Sequence, residues 1–243
     1  MGCHLNCIIF APGAYLNRMK RILFTLLLFC LTGSAFAQWQ NGPLGNDFKL
    51  GLTAHPTFGW LKPQDDGKGD GTSLGFSYGL LGDFNFAENY SFSTGLTITT
   101  INGKSTEVNP APYHDVNDPT KLAYDLKYKL QYIEIPLTIK LRTSKVNELV
   151  WYGQFGLSND FNIGAKQDVS LSGRKIVEDK NIKDLTNFYR AGLILGAGAE
   201  FDLDGHTNVA VGLTFNNGFT DISDDKNRSI RNHYVGLNLA VFF

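Results

Sequence analysis

From Phe48 onward the chain alternates between large apolar side chains and small or polar ones. The stretch FKLGLTAHPTFGW puts Phe48, Leu50, Leu52, Ala54, Pro56, Phe58 and Trp60 on one face. A period of two is the mark of a β-strand, whose successive side chains point to opposite faces. The same alternation recurs over residues 74–86, 90–99, 132–142, 149–163, 190–203, 208–216 and 233–243. After Gln38 no segment repeats apolar residues at helical spacing with caps, so the chain reads as all-β with eight strands.

The second face of each strand decides what kind of sheet this is. Between the apolar residues stand Gly75, Ser77, Gly79, Asp83 and Asn85 in one strand, and Gly192, Gly196, Gly198, Glu200 and Asp202 in another. A soluble sandwich would show many Lys and Glu there, facing water. Small residues with a few charges suit the crowded inside of a narrow barrel, while Leu, Val, Ile and Phe suit its lipid face. In hydrocarbon every backbone amide must be paired, so such a sheet closes on itself. The connections agree: 61–73, 102–127, 164–188 and 218–231 are long, whereas 87–89, 143–148 and 204–206 are short. Outer-membrane barrels carry short turns on the periplasmic side and long loops outside. The expected fold is an eight-stranded antiparallel up-and-down transmembrane β-barrel, monomeric and in one domain over 38–243.

The N-terminal region fits export. MKRILFTLLLFCLTGSAFAQ, from Met19, offers Lys20 and Arg21, an apolar run to Leu31 and the pair Ala35 and Ala37. That is a signal peptide over 19–37 with an A-x-A cleavage site, and residues 1–18 read as upstream sequence. Its apolar run of about ten residues is short of the ~20 that a spanning helix needs. Bulky Phe29 stands before Cys30, where lipoprotein signals place a small residue. Cleavage would remove Cys3, Cys7 and Cys30, so the exported chain uses neither disulfides nor thiolate ligands. It would also remove Arg18, Lys20 and Arg21 and no acid, leaving 19 of the 22 basic residues against 23 acidic ones. That balance excludes the basic surface of a nucleic-acid binder.

The segment YIEIPLTIKLRTSKVNELVWYGQFGLSNDFNIGAK, Tyr132 to Lys166, resembles the PorT-like outer-membrane β-barrel proteins of Bacteroidota. They carry an "EIPL" strand followed by an aromatic-Gly strand. The resemblance implies the barrel fold and an outer-membrane location. The family's namesake takes part in protein secretion across that membrane, so an envelope or secretion-system protein is an implied partner. The last strand, HYVGLNLAVFF, is similar to the aromatic-terminated signal read by the barrel-assembly machinery, with Phe243 in the lipid-facing register. Outer-membrane lipid and that machinery are therefore expected partners too.

Inside such a barrel Glu134, Lys140, Arg142, Arg190, Glu200 and Asp202 fall on the inward register. Buried charges need partners, and an ion-pair network across the lumen is expected, centred on Glu134 and Glu200 with Arg190 or Lys140. With eight strands the interior is just wide enough to be filled by side chains, which favours a plug over a pore. Catalysis needs a nucleophile, base and orienter within hydrogen-bond reach. Neither His55, nor His114 beside Asp115, nor His206 has a Ser placed beside it. His233 near Ser229 is the remaining candidate for a lipid-modifying enzyme, and the expectation is no enzyme. The acidic stretches with Asp65, Asp66 and Asp70, and with Asp221, Asp224 and Asp225, lack the spacing of a calcium loop. They read as solvated loops, with no metal or cofactor expected. The function expected is a structural or interaction component of the envelope. The alternatives are a narrow channel and a lipid-modifying enzyme. Loop 102–127, with its turn residues Asn109 to Pro112 and Asp118-Pro119, is the expected contact surface for an external partner.

Overall fold

The computed structural model describes residues 48–64, 67–110, 113, 119–146, 148–203, 207–225 and 229–243. The upstream segment 1–18 and the signal peptide expected over 19–37 lie outside the described residues. So do Asp65, Asp66, Pro112, His114, Asp115, Asp118 and His206.

Period-two alternation gives strands wherever it was expected, and the strands run further than expected. They are β1 (Phe48–Pro63), β2 (Lys68–Ala87), β3 (Tyr90–Val108), β4 (Ala123–Arg142), β5 (Leu149–Leu171), β6 (Arg174–Asn181), β7 (Tyr189–Asp202), β8 (Asn208–Gly218) and β9 (Ile230–Phe242). Eight of them form a closed antiparallel ring in the order β1-β2-β3-β4-β5-β7-β8-β9, with β9 returning to β1. The ninth, β6, pairs with the outer part of β5 as a hairpin arm beside the ring. At the seam Phe243 N donates to Leu50 O at 2.9 Å and Leu50 N to Phe243 O at 3.3 Å. The ring therefore leaves no edge strand for lipid to meet.

The outward register carries the apolar residues. On β4 it is Ile133, Ile135, Leu137, Ile139 and Leu141, and on β9 Val235, Leu237, Leu239 and Val241, followed by the exposed Phe243. Aromatic pairs border this band at both ends: Phe48 with Phe84 at 4.7 Å between ring centroids near the chain start, and Trp60 with Phe215 at 6.1 Å near the far end of β1. Nine residues of β4 at ~3.3 Å each, tilted, make the ~25 Å apolar band of an outer-membrane barrel.

Three of the expected long loops need correction. Residues 102–108 belong to β3 and 123–131 to β4, 164–171 to β5 and 174–181 to β6, and 68–73 to β2. Above the band the sheet continues with its polarity inverted. On β4, Tyr124, Leu126, Tyr128, Leu130 and Tyr132 point inward in the register of Glu134, while Asp125, Lys127, Lys129 and Gln131 point outward. The apolar phase slips by one at Tyr132–Ile133, because the surroundings of the outer face change there from lipid to water. On β5 the slip is built into the backbone: Gln131 pairs with Gly164 but Tyr132 with Asn162. Ile163 is a bulged extra residue that hands the inward register from Asn162 to Ala165. Leu61, Ile101, Leu126, Leu130, Val169, Ile182, Ile222 and Ile230 then fill the outer barrel as an ordinary apolar core.

Candidate functional site

Side chains from several strands meet across the lumen at three levels. The level nearest the short turns is ionic. Lys140 Nζ of β4 donates to Asp83 at 2.6 Å and to Glu200 at 3.1 Å. Arg142, two residues on, reaches the same two carboxylates at 2.7 and 3.3 Å. Ser93 donates to the other Asp83 oxygen. Two cations and two anions thus balance across β2, β4 and β7. The Lys140 ammonium also lies 5.0 Å from the Tyr152 ring centroid and 4.8 Å from that of Phe242, so aromatic faces cover the remaining side of the charge.

The second level centres on Arg190 of β7, which is fully buried. Its guanidinium donates to Asp160 of β5, to Asn216 Oδ1 of β8 at 2.8 Å and to the Asn232 carbonyl of β9 at 3.0 Å. Asn216 donates onward to Ser158 at 2.9 Å. Beside it the Tyr234 hydroxyl lies 2.9 Å from both Glu134 oxygens. A planar fork with five donors is the group that can satisfy carboxylate, amide and carbonyl partners from three strands at once. Between these two levels lies a cavity of about 80 Å³, bordered by His55, Thr138, Gln154, Thr214 and Asn238. At a minimum of about 10–15 Å³ for one water, the cavity is large enough to be hydrated. The third level is the apolar outer core.

The sequence-predicted residues are thus divided rather than joined. Glu134 and Glu200 belong to different levels, six residues or about 20 Å apart along β4 as measured from Glu134 to Lys140. Arg190 serves the upper level, and Lys140 and Arg142 the lower one. Asp202 leaves the network: it sits at the rim and pairs with Lys145 at 3.1 Å. Two direct ion-pair partners, Asp83 and Asp160, were on the inward face by register but not in the expected network. Their sequence signal was an acid among Gly, Ser and Asn at an inward position.

The His233–Ser229 pairing does not form. Four residues of strand separate them by about 13 Å, and His233 packs its ring against Trp60 at 5.8 Å. Asp221 is occupied as a loop organiser, accepting from the backbone N–H of Ser223 and Ile230 at 2.9 Å each. Among the described residues no group of three His, Cys, Asp or Glu side chains is placed to hold a metal ion. The arrangement ties the strands together across the bore and gives the outer barrel a packed core of its own.

Solved structures similar to this chain include Neisserial surface protein A, at 12% identity and TM-score 0.42 over 80% of this chain and 97% of the other. OprG of Pseudomonas aeruginosa shares 11% identity at TM-score 0.40, over 81% of this chain and 95% of the other. Ail, the attachment invasion locus protein of Yersinia pestis, shares 14% at TM-score 0.30, over 80% and 99%. No curated protein matches the sequence. Residues 36–241 match the family described as "Outer membrane protein beta-barrel domain". A closed ring, an apolar outward band and this match over most of the chain lead to one conclusion: the protein belongs to the outer-membrane β-barrel domain family.

Proposed function

We propose that the protein is a structural or interaction component of the outer membrane, one whose outer extension docks another envelope or secretion component, as in the PorT-like branch. One observation carries this reading. Side chains meet across the bore at three successive levels, and the strands are prolonged beyond the apolar band and packed around a core of their own. The prolonged strands supply a fixed platform for recognition, since sites on sheet strands are held more accurately than sites on loops. Large apolar side chains stand exposed on this platform, among them Ile176 of β6 and Leu185 after it. Scattered apolar residues of this kind become meaningful at a contact surface. Export through a cleaved signal peptide and action as a monomer belong to the same proposal.

The test is site-specific photo-crosslinking in intact cells, with the probe at Ile176, Leu185 or, as a lipid-facing control, Leu137. Discrete protein adducts from the first two positions, and none from Leu137, are expected. Lipid adducts alone at all three positions would remove the docking reading.

A further inference from the structure

Immediately above the apolar band, the outer face of the barrel sets like charges directly against each other. Lys62 of β1 is the residue that follows Trp60 in the outward register, and Arg231 of β9 is the one that follows His233. The two are register partners, Lys62↔Arg231. Directly opposed residues hold their Cβ atoms about 5 Å apart, and like charges there destabilise a sheet. Among the described residues neither Lys62 nor Arg231 takes part in an ion pair, while Lys129, Lys145 and Lys175 all do. Below the Lys62–Arg231 pair lies an aromatic cluster, Trp60 stacked on Phe215 and tilted on His233. Trp rings of this sort mark the head-group level of a membrane.

A sheet that places an exposed lysine and a half-buried arginine face to face over an interfacial tryptophan lacks only the anion between them. We propose that Lys62 and Arg231 bind the phosphate of an outer-leaflet glycolipid, with Trp60 and Phe215 packing on its acyl chains. The arginine supplies a planar fork for two phosphate oxygens and the lysine a point charge. The proposal is independent of the docking reading above, because it concerns the lipid rim and not the outer platform.

The test uses the whole protein in vesicles of phosphatidylcholine mixed with phosphorylated lipid A, or with lipid A stripped of its phosphates. Native mass spectrometry then counts the glycolipid retained. The wild type is expected to retain the phosphorylated form alone. The Lys62→Gln, Arg231→Gln variant should lose affinity roughly thirtyfold, each membrane-surface charge contributing about a fivefold factor. Equal retention of the dephosphorylated lipid, or unchanged retention by the variant, would overturn the proposal. Lys62→Glu separates lipid binding from folding. It creates a cross-strand ion pair with Arg231, so the barrel should melt no lower than wild type in glycolipid-free detergent and yet retain no glycolipid. Retention equal to wild type in that variant counts against the site. Should it fail to insert, Arg231→Glu reads the same pair from the other strand.

Discussion

Arg190 shows how much a single inward side chain can hold. It lies on β7 but makes its bonds to β5, β8 and β9, and it is buried completely. Removing it would leave Asp160 as a buried carboxylate without its cation, an arrangement that costs about 3–5 kcal/mol. Arg190→Ala is therefore expected to lower the unfolding free energy in detergent by that amount. The double variant Arg190→Leu, Asp160→Leu should recover a large part of it, because no charge is then stranded. Denaturant unfolding of all three proteins, arranged as a double-mutant cycle, checks this. The lower level depends on smallness instead. Gly198 and Gly212 face one another on β7 and β8, and a Cβ on Gly198 would stand 2.6 Å from the Tyr152 hydroxyl and 2.3 Å from the Val211 carbonyl oxygen. The absence of side chains at this pair is the slot that lets Tyr152 lie across the lumen under Lys140. Gly198→Ala is expected to cost roughly 1–3 kcal/mol by overpacking, read as a fall in the melting temperature of the purified barrel. These roles were only half legible in the sequence. Register places every one of the residues inside the barrel, but which acid meets which base depends on the stagger of strands distant in the chain.

At the scale of the element, β4 is the informative strand. Its lower half was legible because lipid demands one apolar face and the pattern is strict there. Its upper half read as loop because the apolar set changes phase at Tyr132–Ile133, and a pattern search in one phase ends where the phase ends. The chain does not turn at that point; only its surroundings change. A consequence follows for neighbouring residues of the same strand. Leu130 is fully buried in the outer core, and Gln131 faces out. Leu130→Ala should therefore cost about 2–5 kcal/mol. Gln131→Leu should stay within about 0.5 kcal/mol. Chemical denaturation of the two variants separates them, and equal effects would mean that the outer strands are not packed. The β6 arm adds a pH dependence. Lys129 donates to Asp179 and holds its carboxyl below the ordinary value. For Asp168, burial pushes upward, but the Asp179 N–H and Lys129 outweigh it, so that carboxyl too is held low. Carboxyls depressed in the folded state stabilise above their unfolded pKa and lose that contribution as pH falls through the folded one. The arm should stay docked at neutral pH and loosen only below the ordinary Asp value of about 3.9. The protection factors of the β6 amides, taken against the intrinsic exchange rate at each pH, should fall in that range and stay constant above it, and Lys129→Gln should remove most of the difference.

For the whole molecule, what matters is that the three levels stand in series along one bore. Conduction needs an unbroken column of water, so one intact level would suffice to stop it, and the small cavity lies between the two ionic levels. Lys140→Ala with Arg142→Ala tests this arrangement most sharply. The change deletes both cations of the lower level and leaves Asp83 and Glu200 facing each other without them, which opens the periplasmic mouth and joins it to the cavity. The Arg190 level and the apolar outer core remain untouched. An eight-stranded ring is narrow enough for side chains alone to fill it, so these two should still seal it. Reconstituted into planar bilayers, the wild type and this variant are both expected to give no reproducible single-channel steps, although the variant should be less stable to heat. Steps from the variant alone would mean that the lower level is the sole barrier and that the outer core admits ions. Steps from the wild type would mean that the levels do not close the bore at all, and the extended outer barrel would then have to be understood as the vestibule of a channel.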